Sequence, residues 1–313
     1  MLMRIARFEL AYQLRQPPFW VCFAVFFLIS FLSIASDNVQ IGAQGGTHAN
    51  APYAVTLTLL FMSLIGMFIP MAIMPGTVLR DADTGMAGIL YSLPVTKTQL
   101  LLGRFIAAYA VVAIAFLGAP LGHLTGSFMW WLDPEELGPT RLDVYLQVLT
   151  VFALPNLLIL GCLFFAVAAI TRTQWAVYVA LIAFLILYVT AGQLIDDPGN
   201  STLEGMVDPF GIQAALQGTR YWTVFERNSQ AVPLEGIVLY NRVAWLGGAL
   251  ALVAVAVVRF RFETQPRRGG GKAAAAEPVP APVARPRITP APAGSAGLAQ
   301  LWRQSVEEAL GVL

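Results

Sequence analysis

The sequence predicts an all-α polytopic membrane protein with six transmembrane helices, an N-terminal interfacial helix, a disordered Pro/Ala-rich C-terminal linker and a short terminal helix. Three observations carry that expectation. Only 12% of the 313 residues are charged and 57% are hydrophobic, whereas about a quarter of a soluble domain is charged. Six apolar runs reach the roughly 20 residues that cross a bilayer. Lys and Arg gather in alternate connections between those runs.

The chain opens MLMRIARFELAYQLRQPPFW. On a helix Met3, Ala6, Leu10 and Leu14 share a face, with Arg7 at its edge and Phe8 and Tyr12 opposite. That pattern predicts an interfacial helix with Arg4, Arg7 and Arg15 near anionic headgroups. No small-residue cleavage signal follows the first apolar run, so a retained span is expected. The spans are expected at Pro18–Ala35, Tyr53–Met74, Leu101–Leu124, Tyr145–Ile170, Trp175–Ile195 and Tyr240–Val258. Each must be helical to satisfy its backbone in lipid. Cys22 and Cys162 lie inside these runs as small apolar side chains, so neither a disulfide nor a metal site is expected from them.

Orientation follows from the basic residues. Arg4, Arg7 and Arg15 precede the first span; Arg80, Lys97 and Arg104 flank the second connection; Arg172 lies in the fourth; Arg259, Arg261, Arg267, Arg268 and Lys272 follow the sixth. Residues 36–52 hold no Lys or Arg, and 125–143 only Arg141. Both termini are therefore expected in the cytoplasm. Trp20 and Trp175 then fall at the inner interface, and Trp130 and Trp131 at the outer. The domain boundaries expected are 1–262 for the membrane domain, 263–297 for a linker that cannot build a core, and 298–313 for a short amphipathic helix. GGGK at 269–272 lacks the strand, spacing and Ser/Thr of a phosphate loop. A net charge of +1 gives no reason to expect nucleic acid.

The second connection is unusual. Residues 80–105 read RDADTGMAGILYSLPVTKTQLLLGRF. Thr96 and Gln99 have capping-box spacing ahead of the third span, and Pro94 ends whatever helix precedes it. Asp83 or Thr84 can cap a helix running to Leu93, with Met86, Ile89, Leu90 and Leu93 on one apolar face and Gly85 and Gly88 keeping it slim. So short a helix needs a surface to dock on, and lipid headgroups and another protein are both open. In the fifth connection, Asp208 can cap a helix with Pro209 at its first position. Residues 209–217 with Tyr221, Trp222 and Phe225 then form an apolar element, dipping into the outer leaflet or packing over the span ends.

Arg80-Asp81, Asp83-Thr84-Gly85, Ile89 to Val95 and Gly103-Arg104 together resemble the cytoplasmic loop of ABC-2 type exporter permeases, although no Glu stands at Ala87 or Gly88. The ordered set, with an N-terminal lead-in helix and six spans, extends the resemblance over residues 1–262. The resemblance implies that Arg80, Asp81, Asp83, Thr84, Gly85, Met86, Ile89, Leu90, Leu93 and Pro94 form a coupling loop seated in a groove of a separate ABC ATPase dimer. Arg80, Asp81 and Asp83 would orient that loop and pair with the ATPase surface. It further implies that Asp208, Pro209, Phe210 and Trp222 belong to an outer gate, in a bacterial cytoplasmic (inner) membrane. The chain itself is expected to bind no cofactor, with ATP and Mg held by the ATPase. Six spans are half a pathway, so a second permease half is expected: a homodimer, a heterodimer or a continuation of the chain.

A narrower similarity, through Asn50-Ala51-Pro52-Tyr53, Asp208 to Gly211, Tyr221-Trp222 and Glu226-Arg227-Asn228, is to permeases fused to a zinc aminopeptidase. His48 and His123 form no H-E-x-x-H, so no peptidase or other enzyme is expected here. Two alternatives stand beside the permease: a secondary transporter, for which Pro70, Pro120 and Pro155 hint at broken helices, and a non-transport membrane scaffold. The spans contain no deeply placed Asp, Glu or Lys, which speaks against a proton-coupled carrier.

Overall fold

The computed structural model describes residues 1–36, 41–86, 95–195 and 201–260. The chain divides at Gln265, and the linker and terminal helix lie outside the described residues. All regular structure among the described residues is helical. Among the described residues five helical segments are long and apolar enough to cross a membrane, or six if one bent pair counts as a single span.

Helix α1 (Leu2–Gln13) leads into α2 (Pro17–Ala35), whose first turn takes two prolines where no intrahelical N–H is needed. The second span is not one rod. It consists of α3 (Pro52–Ile65) and α4 (Phe68–Asp83), bent by 42°. Pro70 has no N–H for the Gly66 carbonyl, which is taken instead by Ile69 N at 3.1 Å. The same chemistry separates α5 (Lys97–Phe116) from α6 (Gly118–Gly126), where Pro120 withholds its amide from Phe116. It also accounts for the π turn at Leu149–Ala153 between α7 (Leu142–Val148) and α8 (Leu154–Thr171), ahead of Pro155. The fifth and sixth spans are α9 (Gln174–Ile195) and α13 (Gly236–Arg259); α10 (Ser201–Val207), α11 (Ile212–Gly218) and α12 (Val224–Ser229) lie between them.

Two contacts set the arrangement. Gly118, Gly122 and Gly126 line one edge of α6, and a Cβ on either of the first two would collide with the carbonyl oxygen of Phe23 or Phe27 in α2. This small-residue spacing lets the two backbones touch. The core gathers around α8, where Leu157, Leu160, Phe164, Phe165 and Ala168 are buried against α4, α5 and α13. By contrast α9 shows Val179, Ile182, Ile186 and Leu187 on its outside. Trp20, Trp175, Trp130 and Trp131 are all exposed, the first two near one face and the last two near the other.

Candidate functional site

One face of the bundle collects α1, the end of α4, the start of α5 and the ends of α8 and α13. Thr96 caps α5, its hydroxyl oxygen accepting from Gln99 N at 3.3 Å. Lys97 Nζ donates to the Val258 carbonyl at 3.1 Å, a cation at the closing end of α13. Two ion pairs then tie the helices together. Arg104 of α5 grips Asp81 of α4 with both arms, Nη1–Oδ2 at 2.6 Å and Nη2–Oδ1 at 2.9 Å, and Nη1 also reaches the Thr77 carbonyl at 2.9 Å. Arg80 donates to Glu9 of α1 at 2.6 and 3.1 Å and stacks over the Tyr12 ring at 4.4 Å. Paired geometry of this kind gives the strongest charge-assisted contacts.

Arg80 and Asp81 are thus both engaged in ion pairs within the chain. The lead-in helix differs from expectation. Its buried side carries Ala6, Glu9 and Gln13, while Met3 is exposed. Glu9 turns inward because Arg80 and the Gln13 amide, at 2.8 Å, await it. Gly103 lets α1 lie close on α5: a Cβ there would stand 3.0 Å from the Leu2 carbonyl oxygen.

Helix α4 runs through Arg80 and Asp81 to Asp83, well past the expected end of the span at Met74. The Thr84 hydroxyl donates back to the Arg80 carbonyl at 2.8 Å, and Gly85 adopts φ +71°. Thr84 thus ends α4 in the manner of a left-handed glycine stop; the helix expected to run on to Leu93 lies mostly outside the described residues. Asp83 and Met86 are exposed. Ile89, Leu90, Leu93 and Pro94 lie outside the described residues.

The opposite face holds the second cluster. Arg242, 3% exposed near the start of α13, sends Nη1 to Asn156 Oδ1 at 2.5 Å, Nη2 to the Pro209 carbonyl at 3.1 Å and Nε to Asn241 Oδ1 at 3.0 Å. Asn156 Nδ2 in turn donates to Ser63 Oγ at 2.8 Å and the Phe210 carbonyl at 2.9 Å. Asn241 Nδ2 donates to the Gly205 and Asp208 carbonyls at 2.7 and 2.8 Å. Asp208 accepts from Phe210 N at 2.9 Å and Gln213 N at 2.8 Å. Burial pushes its carboxyl above the ordinary range, against the pull of these amides and of Arg242.

Asp208 thus holds backbone amides as expected, but Pro209 is not the first helical residue. The chain makes a turn from Asp208 to Gly211, at φ +73°, and α11 begins at Ile212. Phe210 packs on Phe184 and Tyr188, with centroids 6.0 and 5.3 Å away, so this turn folds onto the chain's own helices. Trp222 is half-buried against the core, beyond α11 in the chain. Arg242 and Asn156 were missed by sequence reasoning as a pair. An arginine two residues inside an apolar run was the available signal.

Residues quoted for the narrower similarity meet at this face. Arg227 lies over the Tyr53 ring at 5.1 Å, and the Asn228 side chain accepts from His48 N at 2.9 Å. His123 is buried and bonded through Nδ1 to the Tyr145 hydroxyl at 2.8 Å. Among the described residues no group of three His, Cys, Asp or Glu could hold a metal ion.

A search of curated proteins found no match. The family described as ABC-2 family transporter protein matches residues 3–264, spanning both clusters and all six apolar segments. The chain belongs to that family and is a membrane permease of an ABC transporter.

Proposed function

We propose that this chain couples to a separate ABC ATPase dimer through the connection at 80–94 and exports its cargo from the cytoplasm. The observation that supports this most is the base from which that connection springs. The end of α4 is bonded to α1 through Arg80 and Glu9 and to α5 through Asp81 and Arg104. A push on the connection therefore reaches three helices at once, and packed helices respond to such pushes as rigid bodies. Arg80 and Asp81 orient the loop from inside the chain, which leaves Asp83, Met86, Ile89, Leu90 and Leu93 to meet the ATPase.

In this reading the shared face is cytoplasmic, in a bacterial inner membrane. ATP and Mg belong to the partner, and a second permease half completes the pathway. The turn at Asp208 to Phe210, with Trp222 beyond it, forms part of the outer gate. The test is co-purification from native membranes in mild detergent. An ATPase should accompany the wild type and be lost from a Leu90→Asp, Leu93→Asp double variant that still inserts. Retention of the ATPase by that variant sinks the assignment of the loop.

A further inference from the structure

A cavity of about 390 Å³ opens between the C-terminal half of α9, α10, the Asp208 turn and α13. Phe184, Tyr188 and Trp245 give it aromatic walls, and Glu204 and Asp208 line it as well. The two carboxylates are not equivalent. Asp208 is spent on two backbone amides and sits beside Arg242. Glu204 is half-buried and takes part in none of the ion pairs among the described residues. The described residues of α9, α10, the Asp208 turn and α11 carry no Lys, Arg or His, and the nearest cation on α13, Arg242, is committed to Asn156, Asn241 and the Pro209 carbonyl. A carboxylate in an apolar, aromatic cavity is costly unless a positive charge joins it. Aromatic faces favour the same sign.

We propose that this cavity binds an organic cation carried on an apolar body, with Glu204 as counter-ion and the aromatic walls around the cationic head. Among the described residues no group of three His, Cys, Asp or Glu could hold a metal ion, Asp208 is already bonded to two backbone amides, and an anion would meet charge of its own sign. The ammonium or phosphonium head could come from a lipid headgroup or from a free lipophilic cation. Treating the occupant as cargo rests on the permease reading; the binding does not, and it is measured without an ATPase.

The probe is radiolabelled tetraphenylphosphonium, added to the full chain in nanodiscs of phosphatidylglycerol. Saturable binding to the wild type is expected. Glu204→Gln should weaken it about tenfold or more, the cost of losing one partly desolvated charge pair. Gly192→Phe should abolish it, because Gly192 lines the cavity and a Cβ there has no neighbour within 4 Å. Tetraphenylborate, the same shape with opposite charge, should not bind saturably. Equal binding by both variants, equal binding of the borate, or no saturable binding of the phosphonium overturns the proposal. Given binding, loss on exchanging the lipid for phosphatidylethanolamine assigns the site to a headgroup; unchanged binding assigns it to a free cation.

Discussion

Arg104 and Arg242 are both deeply buried, 7% and 3% exposed, yet what surrounds them has little in common. Arg104 faces a carboxylate squarely, and the bond joins one long helix to another. Arg242 faces mainly neutral oxygens, from Asn156, Asn241 and the Pro209 carbonyl, and its bonds join a connection to α8 and α13. Through Ser63 the same network reaches α3. A charge pair between helices makes them move together. A guanidinium fork satisfied by loop carbonyls instead fixes the shape of a turn. The molecule thus has one face where ion pairs tie α1, α4 and α5 together and an opposite face whose turn is held in place.

The comparison can be broken most sharply at Asp81. Asp81→Ala leaves Arg104 buried without its partner and should cost about 3–5 kcal/mol, read as a lowered unfolding temperature in detergent. Replacing both by apolar residues, Asp81→Leu with Arg104→Met, should recover most of that loss, since the pair is not a net source of stability. On the opposite face Arg242→Met strands acceptors on Asn156, Asn241 and Pro209, at about 1–3 kcal/mol. Its clearer sign should be faster proteolysis between Asp208 and Glu235. Arg242→Lys should not rescue it, because an ammonium cannot reproduce the fork.

A smaller effect is expected at Gly211. The position has φ +73°, and a Cβ there would stand 2.5 Å from Arg242 Nη2. Gly211→Ala should cost about 1–2 kcal/mol from the left-handed backbone, plus whatever the guanidinium loses by moving. The smallest effect tests the rim of the same face. Glu226 and Thr223 form a capping box on α12, and the Thr223 N–H and hydroxyl hold the Glu226 carboxyl below its usual range. A lowered pKa means stability present above the ordinary glutamate range and lost as pH falls through the lowered value. Thermal unfolding of Glu226→Gln should therefore fall slightly below wild type at neutral pH and converge with it in acid.

Much of this was legible from the residues. Because lipid leaves the backbone few alternatives, hydropathy located the apolar segments to within a few residues, except that the second runs on to Asp83. Thr96 read correctly as a cap because its partner is three residues away. Side chains whose partners are distant in sequence did not read. Glu9 carries no local signal, because its partner Arg80 lies 71 positions away. Arg242 finds Asn156 across 86 positions. Prolines 70, 120 and 155 announced interruptions, but not that one would become a 42° bend and another a π turn. The Gly118, Gly122, Gly126 spacing was present to be read as a close helix contact; naming α2 as the partner required the fold.

The central claim is that the connection after α4 meets the ATPase. It is tested most directly by a photo-cross-linking amino acid at Met86, which is 53% exposed at the end of that helix. The control is the same probe at Trp130, 88% exposed on the opposite face. In native membranes the account predicts an adduct with an ABC ATPase from position 86 and none from 130. An ATPase adduct from 130, or none from 86 in membranes where the ATPase co-purifies with the chain, would contradict it.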